Sequence, residues 1–254
     1  MTTTPLLVVQ GMTKRFGGLA AVDDVSFEMH DGDILGLIGP NGAGKTTLFN
    51  LISGFTPPSA GSVLWQGRDI TRLPAATRAH LGLVRTFQVA RVFGQLTVRE
   101  NLLAACHTAT TSTIMGDLLG TRRSRRTDRL ASERADEVIE RFGFGPLATR
   151  IAHDLPYGLT KRLGLLIGVT ARPKLLMLDE PAAGLNHEEI DVLRSDLTAL
   201  PAEGMTVLLV EHHMGLVMTV SDSVIVLDAG KKIAEGTPAE VSAEQTVIDA
   251  YLGA

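Results

Sequence analysis

Residues 33–55 read "DILGLIGPNGAGKTTLFNLISGF", and this stretch decides the fold. "DILGLIG" is an unbroken apolar run of the kind that forms a strand buried on both faces. It passes directly into a Gly-rich turn and then into a helical run with Gly54 near its end. Gly39, Pro40, Asn41, Gly42, Ala43, Gly44, Lys45 and Thr46 fit the pattern G-x-x-x-x-G-K-[ST], with Thr47 following. In such a loop the glycines let backbone N–H groups converge on phosphates, and the helix N-terminus adds partial positive charge. Lys45 reaches the β- and γ-phosphates and the Thr46 hydroxyl can ligate Mg²⁺. A Gly-rich turn with a solvated lysine is the bland alternative; the strand before and the helix after favour phosphate.

A nucleotide loop of this type needs an acidic partner, and "LLMLDEP" supplies one. An apolar strand delivers Asp179 and Glu180 at its carboxyl end, where ligands sit in open α/β sheets. Asp179 is placed for the Mg²⁺ shell and Glu180 to polarise an attacking water. No Asn-Lys-x-Asp guanine-reading pattern occurs, which argues against a GTPase.

Composition sets the bounds. With 254 residues, 44% hydrophobic and a formal net charge of -4, the chain suits a compact unit with a possible subdomain, and offers no global attraction for nucleic acid. Cys106 is the only cysteine, so an internal disulfide and a cysteine zinc site are excluded; a small buried hydrophobe is the simplest reading. No basic stretch precedes a long apolar N-terminal segment, and no apolar run approaches the roughly 18 residues of a bilayer span. A cytoplasmic location follows, with any membrane role exercised through a partner.

Two β-rich pieces, "LLVVQGMTKRFGG" and "AVDDVSFEMHDGD", predict a small antiparallel sheet ahead of the loop. "LGLVRTFQ" predicts another strand, and "LTVRENLLAA" a helix boxed by Thr97 and Glu100. From there to about Leu155 strand signals vanish, which marks a helical insertion; within it Glu137 and Arg141 are spaced for an ion pair. Arg122, Arg123, Arg125, Arg126 and Arg129 read as a solvated face, with anionic lipid contact as the second reading. "AEGMTVLLVEHH" predicts a strand, "SDSVIVLDAGKKIAEG" a hairpin turning at Ala229-Gly230, and "TPAEV" a final helix capped by Thr237. The alternation predicts a mostly parallel sheet with helices on its faces.

Together these segments resemble an ATP-binding cassette (ABC) ATPase over essentially the whole chain. The resemblance implies an α/β fold: a P-loop NTPase (RecA-like) core, residues 1–87 and 170–254, with a small antiparallel β subdomain and an inserted helical subdomain, 88–169. It also implies roles. Phe16 matches the aromatic that stacks on adenine. Gln88 matches the loop residue that contacts Mg²⁺ and senses the membrane part. Gly184, Leu185 and Asn186 match the loop that crosses the dimer interface, and His212 the histidine on the γ-phosphate. Singly, Phe16 reads as core, Gln88 as surface, and His212-His213 as a solvated pair or metal ligands; their order after the P-loop favours the family roles.

"DLPYGLTKR", residues 154–162, stands where the family carries its signature, most often Leu-Ser-Gly-Gly-Gln, which grips the γ-phosphate held by the opposite subunit. Leu155, Pro156, Tyr157, Gly158 and Leu159 take those positions. Pro156 has neither hydroxyl nor backbone N–H, so a bond worth roughly 1.5 to 3 kcal/mol to a charged group is absent. Leu159 removes a polar side chain, while Gly158 and the helix start still favour an anion. The motif reads as a weakened signature, the alternative being a helix start that no longer reads phosphate.

"KRFGGLAAVDDVSFE", "VRTFQ", "LDEPAAGLN", "VEHHMGLVM" and "AYLGA" narrow the resemblance to the larger ATPase subunit of branched-chain amino acid importers. That implies ATP and Mg²⁺ as cofactors, two membrane permeases, a second ATPase subunit (heterodimer or homodimer), an external solute-binding protein, and a place on the cytoplasmic face of the membrane. Two other functions compete: a soluble ABC ATPase, disfavoured by the single P-loop and the lack of sustained heptads, and a non-catalytic nucleotide-binding regulator, disfavoured by intact Lys45, Asp179, Glu180 and His212.

Overall fold

The computed structural model describes residues 4–86, 92–108 and 122–252. The chain divides into two compact units, Met1–Arg85 with Lys174–Ala254, and Thr86–Pro173.

The first unit holds two sheets. β1 (Leu7–Phe16) pairs antiparallel with β2 (Leu19–Met29) and with β4 (Ala60–Trp65), and β5 (Arg68–Asp69) extends this sheet in the order β2-β1-β4-β5. The β1–β2 pair matches the sequence expectation; β4 and β5 complete the sheet from a stretch that offers only turn residues and a short apolar run. The second sheet has the order β10-β9-β3-β8-β7-β6. β3 (Ile34–Ile38) lies parallel to β8 (Thr206–Val210) and β9 (Ser223–Asp228), while β7 (Leu175–Asp179) lies parallel to β8 and β6 (Leu83–Arg85). Every residue of β3, β7 and β8 is buried, which accounts for their unbroken apolar sequence. β10 (Lys231–Gly236) closes the edge antiparallel to β9. Their turn has φ 44° at Ala229 and 83° at Gly230, the positive pair that a two-residue hairpin turn requires.

α1 (Lys45–Ile52) follows β3 through the Gly-rich turn, and its Leu48, Phe49, Leu51 and Ile52 are buried in the core. The short α2 (Ala75–His80) contributes Arg78, which is 1% exposed. The Arg78 guanidinium donates to the Leu51 and Ile52 carbonyls at the end of α1 (3.0 and 2.6 Å), to Leu73 (2.9 Å) and to Thr71 (2.8 Å). It thus caps the carbonyl end of α1, where a cation also meets the helix dipole. Burial, partly offset by Asp69, pushes its pKa down to about 10, so it stays charged at neutral pH.

The second unit is helical. α3 (Val98–Thr108) opens with the predicted box: Glu100 N–H donates to Thr97 Oγ1 at 3.2 Å and Thr97 N–H to the Glu100 carboxylate at 2.8 Å. α3 packs on α4 (Arg122–Arg141) and on α5 (Tyr157–Thr170). Arg99 grips Asp136 with two hydrogen bonds, 2.7 and 2.9 Å, and this holds the Asp136 carboxyl below its ordinary pKa. Glu137, spaced in the sequence for Arg141, reaches Arg172 at 2.5 Å, a pairing that depends on tertiary approach rather than on helical spacing. Cys106 is buried against the Ala131 carbonyl, and burial raises its thiol pKa. Arg126 and Arg129 of the basic run are exposed, Arg129 pairing with Glu133 at 2.8 Å; the side chains of Arg122, Arg123 and Arg125 lie outside the described residues.

Back in the first unit, the final helix of the sequence reading is two helices. α8 (Pro238–Ala243) has the predicted Thr237–Glu240 box but ends at Glu244, whose extended backbone (ψ 125°) breaks the run before α9 (Gln245–Leu252). α6 (His187–Ala199) and α7 (Met214–Val220) complete this unit. No helix among the described residues is long and apolar enough to cross a membrane.

Candidate functional site

The turn after β3 is built for glycine at both ends. Gly39 has φ 146°, and a Cβ there would lie 2.1 Å from the Leu227 carbonyl oxygen. Gly44 has φ 99°, and its Cβ would lie 2.3 Å from the Ala21 carbonyl oxygen. Between them Asn41 and Gly42 are exposed and Ala43 is buried. Lys45 begins α1 and is 8% exposed; its Nζ donates to the carbonyls of Gly39 (2.6 Å) and Pro40 (2.9 Å). Burial lowers the pKa of this ammonium, and the nearby Glu180 carboxylate partly restores it. Thr46 is exposed, Thr47 half-buried, and the first turn of α1 carries no acidic residue, so nothing there repels an anion.

Asp179 and Glu180 arrive together from β7 but in different states. Asp179 is 6% exposed. Its Oδ2 accepts from Arg85 Nη2 at 3.0 Å, across the β6–β7 pairing. Glu180 stands beyond the strand end with φ 47°, a left-handed conformation that is uncommon for a residue with a Cβ. Its N–H donates to the Val210 carbonyl (2.8 Å) and its carbonyl accepts from Ala183 N–H (3.2 Å). His212, 58% exposed, brings Nδ1 to 3.8 Å from Glu180 Oε1.

A residue that the sequence reading passed over holds this corner together. Glu211 is fully buried; its Oε1 accepts from Ala182 N–H at 2.6 Å, and its Oε2 from the N–H groups of His212 (3.0 Å) and His213 (3.2 Å). One carboxylate thus fastens the turn after Glu180 to the turn that carries His212. The signal was a charged residue at the end of an all-apolar strand, a position where a carboxylate stays only if hydrogen-bonded.

The donor set fits a hard divalent cation. A buried carboxylate, Asp179, and an exposed hydroxyl, Thr46, are oxygen donors of the kind Mg²⁺ takes with substrate phosphates rather than in an all-protein cage. Among the described residues no group of three His, Cys, Asp or Glu side chains forms such a cage.

The remaining sequence candidates are placed as follows. Phe16 ends β1, is 53% exposed and has Lys14 Nζ 5.1 Å above its ring. Gln88 lies outside the described residues. Gly184 has φ 79°, Leu185 is half-buried, and Asn186 is the N-cap of α6: its side chain accepts from Glu189 N–H at 3.0 Å and Glu189 returns the bond at 2.9 Å. Asn186→Ala is therefore expected to lower stability by about 1 kcal/mol in a urea melt. In the helical unit Leu155 is buried, Pro156 caps α5 without a side-chain hydrogen bond, Tyr157 is 58% exposed, Gly158 is buried and Leu159 half-buried.

Comparison with known proteins agrees with this geometry. Residues 22–183 match the family model described as "ABC transporter", and residues 231–254 match one described as "Branched-chain amino acid ATP-binding cassette transporter". The high-affinity branched-chain amino acid transport ATP-binding protein BraF of Pseudomonas aeruginosa is 43% identical over 250 residues, 98% of each chain. LivG of Escherichia coli, described in the same words, is 44% identical over the same share of both. A crystal structure of the ADP conformation of an ATP-binding cassette of an ABC transporter superposes with a TM-score of 0.86 at 31% identity, covering 99% of this chain and 100% of that one. A P-loop glycine pair that tolerates no side chain, a lysine poised on its carbonyls and this depth of similarity lead to one conclusion: the chain belongs to the ABC transporter family, as an ATP-binding cassette ATPase.

Proposed function

We propose that the chain is the ATP-hydrolysing subunit of an importer for branched-chain or other hydrophobic amino acids, docked on two permeases at the cytoplasmic face of the membrane and fed by an external binding protein. The observation that carries the ATPase part is the Lys45 ammonium, buried on the Gly39 and Pro40 carbonyls, in the same unit as Glu180 and His212. The solute class is carried by the likeness to BraF and LivG and by the family match at residues 231–254.

In this reading the loop N–H groups, Lys45 and the start of α1 bind the phosphates, and Phe16 stacks on the base. Thr46, Asp179 and Gln88 would hold Mg²⁺, which supplies charge neutralisation on the phosphates when bound. Glu180 takes the proton of the attacking water, and His212 orients and stabilises the terminal phosphate. Gly184, Leu185 and Asn186 face the second ATPase subunit, and residues 88–169 form the helical subdomain that presents 155–159 to the nucleotide of that subunit. Uptake of labelled leucine by cells from which the gene is deleted, and then restored, tests the assignment; uptake that does not depend on the chain rejects the solute class.

A non-catalytic or weakly catalytic partner is the second reading, and Pro156 favours it: the N-cap of α5 has no side-chain hydrogen bond to give. With a heterodimeric partner the two ATP sites would then be unequal. Replacing Pro156 by Ser and Leu159 by Gln is expected to raise turnover of the assembled transporter several-fold, since one charge-assisted bond is restored. Unchanged turnover would leave the signature of this chain without a rate-limiting role.

A further inference from the structure

The carboxylate that the site offers to a divalent cation already faces a cation of the chain's own. Arg85 closes β6 with its side chain 11% exposed, and its Nη2 lies 3.0 Å from Asp179 Oδ2. Nη1 donates to Asn50 Oδ1 on α1 and reaches Ser53 Oγ at 3.5 Å. The guanidinium also sits over the rings of Phe49 and Phe55, 4.7 and 5.1 Å from their centroids. A planar cation held by two aromatic faces and by hydrogen bonds to two elements does not swing away when a second cation arrives.

Resting on the reading of Asp179 as the metal-side carboxylate, we propose that Arg85 is a positioning residue that serves as a resident counter-ion for Asp179 and lowers the affinity of the nucleotide site for Mg²⁺. Two effects of the guanidinium oppose one another. It orients the carboxylate, which favours the metal, and it repels a divalent ion, which disfavours it. Orientation is the smaller effect, because Asp179 is a short side chain at the end of a strand whose five residues are all buried between β6 and β8. Repulsion is the larger, because a fixed charge beside a partly buried divalent ion is poorly screened. The arrangement has two uses. Without metal, the buried carboxylate is not left as an uncompensated charge. After hydrolysis, Mg²⁺ and ADP are held less tightly and leave sooner.

ADP binding to the full chain, measured by calorimetry in EDTA and in saturating MgCl₂, tests this directly. The ratio of the two dissociation constants gives the Mg²⁺ enhancement without any turnover. Arg85→Gln keeps an N–H donor while removing the charge and shortening the side chain; it is expected to raise the enhancement at least about tenfold, or about 1.4 kcal/mol, with the EDTA affinity within about twofold of wild type. Arg85→Met, which keeps the packing under the two rings, should act alike and serves if the Gln variant melts early. Arg85→Lys should stay close to wild type. An enhancement that is unchanged or smaller in the charge-removing variants overturns the proposal. Asp179→Asn separates the two levels: if Mg²⁺ enhancement survives in that variant, the metal-side reading of Asp179 is wrong. If it is lost there while Arg85→Gln behaves as wild type, the role of Arg85 alone fails.

Discussion

Glu180→Gln is expected to lower ATP turnover of the assembled transporter by about 10²- to 10⁴-fold, the range a positioned general base contributes, while ATP affinity stays within about twofold. The separation follows from the geometry. In the proposed reading the phosphate is gripped mainly by the loop and by Lys45, whereas Glu180 stands beyond the end of β7 with its carboxylate near His212. Glutamine preserves the shape of the side chain and leaves the backbone bonds to Val210 and Ala183 untouched, so the left-handed turn survives. Turnover and nucleotide binding should be measured on the same preparation. Parallel loss of both would make Glu180 a binding residue, and unimpaired turnover would move the base elsewhere. His212→Ala is expected to act in the same direction but less, because the proposed role of this exposed imidazole is to orient the phosphate without taking the proton.

Arg78→Met is expected to destabilise the P-loop unit by about 4 kcal/mol, at the upper end for a single substitution. Methionine keeps most of the stem volume but removes the donor to the buried Ile52 carbonyl and to the part-buried Leu73 and Thr71 carbonyls, while Leu51 keeps the Gly54 N–H. An unsatisfied buried carbonyl costs about 1–3 kcal/mol, and relief from burying the cation offsets part of the sum. The loss falls at the carbonyl end of α1, the helix whose other end holds Lys45, so nucleotide binding should melt with it. Arg78→Lys keeps the charge but not the fork, and should recover about half of the loss. A urea midpoint for the Met variant within error of wild type would show that water reaches these carbonyls.

The legible elements of both units each carried a local signal. An unbroken apolar run marked β3, β7 and β8, the Ala229-Gly230 step between two β-rich runs marked the hairpin turn, and Thr97 and Thr237 each met a glutamate three residues on. What escaped was non-local. Arg78, 27 residues from Leu51, looks like any surface arginine until α2 folds over the end of α1. Arg85 and Asp179 are 94 residues apart, and only the β6–β7 register brings them together. Glu211 reads as the start of a polar loop until its three N–H donors are in place. β5, two residues long, exists only because β4 offers it an edge, and the break at Glu244 interrupts a stretch with no Gly or Pro to announce it.

The positive φ of Glu180 also bears on how this position can change over evolutionary time. Glycine or asparagine would adopt that backbone with less strain, so drift or engineering that rewards thermal robustness alone is drawn toward them at residue 180. Either would discard the carboxylate that the proposed mechanism uses as its base, and leave a sturdier cassette expected to bind nucleotide without hydrolysing it. If Glu180 is the general base proposed above, the strain of a glutamate in this conformation is a stability cost set against turnover.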